Sequence, residues 1–241
     1  MLAKDIPDTE TKAHKSFEKN LVERTENGLK IFAFKPTFST DFFFKEEPKK
    51  TGIVLHFTAG FLPGDVRTLT TPHNHVSVSY VVARNGNVYE LFSPKNWSFH
   101  LGKGTVGGNE TCSKQTIGIE ISNIGPLFPK GTTLNFKTDQ GLFPYCDASE
   151  TQFFTKLNKP FRDVLHFASY TDPQYAAIKA LIDNLTGKFS IPRTFLPLNT
   201  RFEPFASNQA GANFKGIASH VNYRKSGKWD IGPAFDWNKI A

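Results

Sequence analysis

Cysteine is scarce in this chain of 241 residues, where only Cys112 and Cys146 occur. Neither lies in a Cys-x-x-Cys spacing, which excludes a thiolate zinc ribbon and a dithiol redox centre. The two can pair or stay free, so they do not decide the compartment. No run of 18 apolar residues exists, which excludes a membrane-spanning helix of ordinary length. The opening stretch MLAKDIPDTETKAHKSFEKN has no apolar core, so no secretory signal is expected from it. Basic residues never form a block of five or six, and no internal repeat or low-complexity tract occurs. With 39% apolar and 21% charged residues, the chain has the make-up of a globular protein rather than a disordered one. Its length suits one large domain or two small ones. A net charge of +7 points to an anionic partner: nucleic acid, phospholipid headgroups or bacterial wall polymers. Phenylalanine is abundant at 24 copies, many of them expected in loops or on binding surfaces.

Read along the chain, residues 1–28 are polar and charged, a peripheral helix or arm ending at Asn27-Gly28. LKIFAFKP reads as a short strand. TGIVLHFTAG is a β-branched apolar run bounded by glycines, a buried strand with His56 at its end. In HVSVSYVVARNGNVYELF two strand-like runs flank Asn85-Gly86, the dipeptide favoured in a two-residue type I′ hairpin turn. QTIGIEISN is a further buried strand, and it embeds Glu120. TDPQYAAIKALIDNLTGKFSIP predicts a helix, with Asp172 as cap, Pro173 in the first turn and Gly187 as the stop. Ala177, Ile178, Leu181, Ile182 and Leu185 form its apolar stripe, which is core. Residues 124–170 and 189–215 are rich in Pro, Gly, Asn and Phe and show no sustained period, so they read as long loop insertions. The whole reads as one mixed α/β domain over 29–241 with an N-terminal extension over 1–28.

His56 sits at a strand end, where function commonly gathers. His220 and Asp230, with Lys228 between them, are compatible with two metal ligands on a strand and its following turn. Together the three make a two-His, one-carboxylate set of the kind zinc hydrolases use while leaving the fourth position to water. Such a site lowers the pKa of bound water from about 16 to around 7. Amide hydrolysis then needs a base to manage the proton and a cation for the oxyanion. Glu120, between isoleucines on an apolar strand, has the burial that raises a carboxyl pKa toward that work. Lys228 supplies the cation.

These segments, in this order, resemble the zinc-dependent N-acetylmuramoyl-L-alanine amidases, the family that includes a phage lysozyme, the bacterial anhydromuropeptide amidases and the animal peptidoglycan recognition proteins. HFTAG resembles the first-ligand motif, with His56 as ligand and Thr58 after it; VSVSYVVARNGNVYELF resembles the hairpin that follows. NWSFHLG resembles the Trp-His-x-Gly element, which implies substrate contacts at Trp97 and His100, and Thr58 is grouped with them. IGIEISN resembles the strand that bears the catalytic glutamate, here Glu120. SHVNYRKSGKWDIGPAFDW resembles the terminal motif, implying His220 and Asp230 as ligands and Lys228 at the oxyanion. The resemblance covers roughly 50–123 and 172–237. It implies a central mixed β-sheet flanked by helices, a Zn2+ cofactor, and peptidoglycan or muropeptides as partner rather than nucleic acid. It also implies cleavage between N-acetylmuramic acid and L-alanine of the stem peptide, by a protein expected to be monomeric.

The chain departs from the family pattern at named positions. Ile231 replaces the first proline of Asp-Pro-Gly-Pro, and Val78 stands where some relatives carry a catalytic tyrosine, which leaves Tyr80 without a proton-transfer role. The two insertions are this chain's own. Two other readings stand beside the amidase. A binding module of the same fold would have lost a ligand, and none is lost here. A metal nuclease would rest on His73 and His75 of PHNHV, which strand spacing would put on one face. His14 and His166 read as surface or core histidines, and Asp236 is the alternative ligand if Asp230 points away. Autolysin, endolysin, injected effector and recycling enzyme are all compatible with the sequence, and the basic charge favours the cell envelope or its exterior.

Overall fold

The structure, a computed structural model, describes residues 1–241. The N-terminal stretch supplies the helix its polarity suggests, but it is built into the body of the protein rather than lying apart from it. Helix α1 (Ile6–Phe17) leads into β1 (Leu21–Glu26), which forms an antiparallel hairpin with β2 (Leu29–Phe34). Glu26 faces Leu29 across Asn27-Gly28, both at positive φ, so this Asn-Gly builds the two-residue turn that twisted hairpins favour. Glu10 of α1 is buried and accepts the backbone N–H groups of Arg84 and Asn85, which seats the helix on the body of the protein.

Next come β3 (Gly52–Phe57), α2 (Leu62–Leu69), β4 (Tyr80–Val82), β5 (Val88–Glu90), α3 (Asn109–Gln115) and β6 (Thr116–Ile121). The β4–β5 hairpin closes differently from expectation. Ala83 accepts from Gly86 and donates to Asn87, so the loop has three residues, with Gly86 alone at positive φ. Glu10 explains the difference, since its carboxylate caps the two N–H groups that a tighter turn would turn away. Gly86 is required on a second count, because a Cβ there would stand 3.0 Å from the carbonyl oxygen of Pro173.

The stretch 124–170 is not a loop. It folds into β7 (Pro126–Lys130), β8 (Thr133–Thr138), β9 (Gly141–Asp147), β10 (Phe154–Phe161) and β11 (Val164–Ala168), a second antiparallel sheet in the order β10-β11-β7-β8-β9. Leu127, Leu134, Phe136 and Tyr145 from that sheet pack with Ala3 and Ile6 of the N-terminus.

The last elements are α4 (Asp172–Phe189), α5 (Asn208–Asn213), β12 (Gly216–Ser219) and the single turn α6 (His220–Tyr223). The cap of α4 is Thr171 rather than Asp172. Its hydroxyl accepts from the Gln174 N–H while the Gln174 side chain accepts from the Thr171 N–H, a reciprocal capping box. The helix runs past Gly187 and ends where Ser190 turns left-handed. The other long stretch, 189–215, is irregular apart from α5.

Seven strands make the central mixed sheet, in the order β1-β2-β5-β4-β6-β3-β12. Strands β4, β6, β3 and β12 run parallel side by side. Their β-branched runs follow from burial on both faces. On one face, Ile53, Leu55, Ile117 and Ile119 pack under Ile178, Leu181, Ile182 and Leu185 of α4. Burying each of those helix side chains stabilises by roughly 1.5–3 kcal/mol. The other face carries Leu62 and Val66 of α2 against Val81 and Tyr89, and Cys112 of α3 against Val54, Ala218 and Tyr223. Both cysteines are free and buried, in separate clusters. Of the 24 phenylalanines only Phe143 is exposed, eight are buried and the rest are half-buried, some of them lining open space as Phe61 does. Most stack on one another, as Phe43 does on Phe92 at 4.7 Å.

Candidate active site

Alternation along β3 turns Ile53, Leu55 and Phe57 toward α4 and therefore His56 toward the opposite face. Glu120 is the register partner of His56 on the neighbouring parallel strand, so the two side chains rise on the same face. On the other side of β3, Ser219 pairs with Leu55, and the chain turns directly into α6 with His220 as its first residue. Three adjacent parallel strands thus deliver Glu120, His56 and His220 at their carboxyl ends, where open α/β sheets place their sites. Asp230 returns to the same point because its carbonyl accepts the Val221 N–H at 2.7 Å.

His56, His220 and Asp230 are all buried, and their donor atoms form a tight triangle. The His56 Nδ1 to His220 Nδ1 distance is 2.9 Å, His220 Nδ1 to Asp230 Oδ2 is 2.8 Å, and His56 Nδ1 to Asp230 Oδ2 is 3.3 Å. One face of a tetrahedron with zinc–ligand bonds of 2.0–2.1 Å has edges of about 3.3 Å, so the triangle is the right size. Asp236, the alternative ligand, instead caps the final turn by accepting the Asn238 N–H.

Hydrogen bonding fixes the tautomers this triangle needs. His220 Nε2 lies 2.8 Å from the Leu101 carbonyl oxygen, which only accepts, so that nitrogen carries a proton and Nδ1 is the nitrogen left for a metal. For His56 the same result comes through a relay. Thr116 donates its hydroxyl to the Cys112 carbonyl at 2.6 Å and therefore accepts from His100 Nε2 at 3.0 Å. His100 Nδ1 is then an acceptor, and His56 Nε2 donates to it at 3.0 Å, leaving His56 Nδ1 bare. Burial holds both rings neutral: the His56 pKa falls to about 4 and that of His100 falls well below the usual histidine range. Burial alone would raise the Asp230 carboxyl, but the charge and hydrogen bonds that His220 and His56 supply in their protonated forms outweigh it and hold the group well below the carboxylate range, a pull that a cation between the three would replace. With the His56 and His220 rings neutral, two imidazole lone pairs and a carboxylate converge as a cation's ligand set. The residues fit zinc.

Gly118 makes the relay possible. A Cβ at that position would lie 2.7 Å from Val78 Cγ1 and 3.1 Å from His100 Cγ, so the His100 ring approaches β6 this closely only because residue 118 has no side chain.

His100 and Trp97 therefore differ from the substrate contacts that the resemblance implies. His100 is buried behind His56 as its hydrogen-bond acceptor. Trp97 is buried too, stacked on Phe44 at 4.3 Å with its indole N–H donating to Glu46. Both were drawn inward because NWSFHLG pairs with Phe44 and with Val76. Thr58 does border open space. With Ala59, Gly60, Phe61, Asp65 and Glu120 it lines a cavity of about 310 Å³, and its hydroxyl accepts the N–H groups of Gly60 and Asn123. One carboxylate oxygen of Glu120 is buried with no hydrogen-bond partner. Burial, then the negative charges of Asp230 and Asp65, raise the Glu120 pKa well above the carboxylate range, with Lys228 opposing. The Lys228 ammonium is in no ion pair, which leaves it available.

The other histidines stand apart from the triangle. His73 is exposed and paired with Asp41, and His75 is stacked on Phe44; both have positive φ, which breaks the strand spacing that would align them. His14 bonds Tyr89 through Nδ1 at 2.9 Å, and Tyr80 donates to Glu90. Sequence reasoning missed Thr116, the Leu101 carbonyl and Asp65. A threonine on a strand and a backbone carbonyl carry no motif. Asp65 could have been found as an acid on the buried stripe of α2, two residues past its proline.

The profile of the family described as N-acetylmuramoyl-L-alanine amidase matches residues 46–233. No curated protein matches the chain by sequence. Among solved structures, the N-acetylmuramyl-L-alanine amidase AmiD from E. coli, in complex with the substrate anhydro-N-acetylmuramic acid-L-Ala-D-γ-Glu-L-Lys, is similar over 92% of this chain with 18% identity and a TM-score of 0.50. AmpDH3 from Pseudomonas aeruginosa is similar over 81% of this chain with 17% identity and a TM-score of 0.48. The chain spans 65% of the first structure's length and 60% of the second's.

Proposed function

The chain belongs to the N-acetylmuramoyl-L-alanine amidase family, and on that footing we propose that it hydrolyses the amide between the lactyl group of N-acetylmuramic acid and L-alanine of the stem peptide. His56, His220 and Asp230 would hold a zinc ion, which when bound supplies a Lewis acid that acidifies water and polarises a carbonyl. Glu120, beside His56 on the next strand and short of one hydrogen-bond partner, takes the proton of the attacking water and passes it to the leaving amine. Its raised pKa suits both halves of that transfer. The free Lys228 ammonium stabilises the charge that develops on the carbonyl oxygen. Thr58 and the cavity it lines offer room for substrate beside the base.

The observation that carries this reading is the buried donor triangle, whose two Nδ1 atoms and carboxylate oxygen are turned together. An intact set of ligands, base and cation supports catalysis over binding alone. The charge of +7 supports work against an anionic wall, at the cell envelope or outside it. Purified sacculi and soluble muropeptides, digested before and after chelation and analysed by mass spectrometry, test the proposal. New free L-alanine amino termini that disappear with the metal are the expected result. Cleavage at another bond, or none, would refute it.

A further inference from the structure

The second sheet reaches the catalytic loop through a single turn. Phe161 of β10 pairs with Val164 of β11, and the two residues between them, Arg162 and Asp163, close a hairpin with φ of 50° and 67°. Glycine or asparagine suits such positions, whereas arginine is an uncommon occupant. Its side chain accounts for its presence. The guanidinium fork donates through Nη1 to the Lys228 carbonyl and through Nη2 to the Arg224 carbonyl at 3.1 Å. Trp229 returns a hydrogen bond from its indole N–H to the Arg162 carbonyl at 3.2 Å. The Phe161 ring lies against Gly232 so closely that a Cβ on the glycine would stand 2.7 Å from it.

The loop these contacts hold has little else. Lys225, Ser226, Gly227, Lys228 and Trp229 make no backbone-to-backbone hydrogen bond. The ligands at either end are fixed without it: His220 by the Leu101 carbonyl, and the Asp230 main chain by the Val221 N–H. Released from Arg162, the loop would keep its ends and lose the orientation of its middle, where Lys228 sits.

We propose that Arg162, carried by the inserted β10–β11 hairpin, is a positioning residue that fixes the Lys228 segment for catalysis, making the insertion a brace of the active site. This rests on the amidase reading for the role of Lys228.

The test compares wild type, Arg162→Ala, Lys228→Ala and the double variant on a soluble muropeptide, with zinc content measured for each. Arg162→Ala should lower kcat about ten- to a hundredfold, less than the roughly 10²–10³-fold of losing one oxyanion donor outright because Lys228 is misplaced rather than removed, while KM moves less than threefold and bound zinc is unchanged. If Arg162 acts through Lys228, the double variant should be no slower than Lys228→Ala alone. Arg162→Lys, which keeps the stem but reaches one carbonyl, should fall between, and it serves in place of Arg162→Ala if that variant does not fold. Trypsin provides a readout independent of turnover: cleavage after Lys225 and Lys228, followed by mass spectrometry, should be at least tenfold faster in Arg162→Ala. An Arg162→Ala enzyme within twofold of wild type, additive losses in the double variant, or equal trypsin cleavage would overturn the brace. A wild-type protein with no amidase activity but faster loop cleavage in Arg162→Ala would leave the brace standing and refute the function instead.

Discussion

His56 Nε2 donates to His100 Nδ1 at 3.0 Å, and that bond decides which nitrogen of His56 is left to bind metal. His100 in turn is oriented by Thr116, whose own proton goes to the Cys112 carbonyl. Outer partners of this kind set ligand orientation and basicity, and losing one typically costs 10–100-fold in metal affinity. His100→Ala should weaken zinc binding by about that factor, read by chelator competition. Thr116→Val, which leaves His100 free to choose its tautomer, should weaken it by less. Unchanged affinity in His100→Ala would mean the relay has no hold on the metal.

Glu120 shares the sheet face of His56 but is no part of the donor triangle. Glu120→Gln should therefore keep stoichiometric metal and lose turnover by about 10²–10⁴-fold, the usual worth of a positioned general base. His220→Ala should lose metal and turnover together. Metal analysis alongside single-turnover kinetics separates the two, and a Glu120→Gln enzyme of near-normal rate would remove Glu120 from its role.

Metal removal should also destabilise the fold. An ion bound only by the native state stabilises it by RT ln(1 + [L]/Kd), about 4 kcal/mol at a thousandfold excess over Kd. Chelation should lower Tm, and zinc should restore it together with activity. In His220→Ala the chelator should leave Tm unmoved, which a general effect on the protein would not predict.

The site was more legible in the sequence than the fold around it. His56 ends β3, whose apolar run is plain because that strand is buried on both faces, whereas His220, after the four-residue β12, and Asp230, in a polar turn, were legible only through the order of the motifs the chain shares with the family. Much of the second sheet gave no such signal. Strand β9 is exposed over its first four residues, β10 has no buried residue, and both are edge strands. Neither has one face dry enough to impose a period of two. Pro126 and Pro129 further disguise β7, and they are tolerated because that strand pairs with β11 over one half and with β8 over the other. The two Asn-Gly dipeptides carry a similar lesson. The same local signal made a two-residue turn at 27–28 and a three-residue one at 85–86, where a distant glutamate captured the backbone. His100 was drawn toward substrate by its motif, but the space over Gly118 placed it under His56.

Asp65 gives the pH prediction. It is buried on α2 with Ser122 donating to it at 2.9 Å, and burial raises its pKa to about 6 from an ordinary 3.8. A carboxyl raised on folding binds its proton more tightly in the native state, so its contribution to stability is fully present below pH 3.8 and is lost as pH rises to about 6. At 1.36 kcal/mol per unit the whole span is worth roughly 3 kcal/mol. Asp65→Asn, which stays neutral throughout, should gain stability relative to wild type as pH rises from 4 to 7, with the difference levelling off above that. The same charge helps raise the Glu120 pKa. Removing it should therefore let Glu120 ionise at lower pH and move the acid limb of the pH–rate profile downward. Thermal melts across pH and kcat/KM profiles of the two proteins measure both effects. A constant stability difference, with an unmoved acid limb, would show that Asp65 carries no charge at neutral pH and that Glu120 is tuned by burial and Asp230 alone.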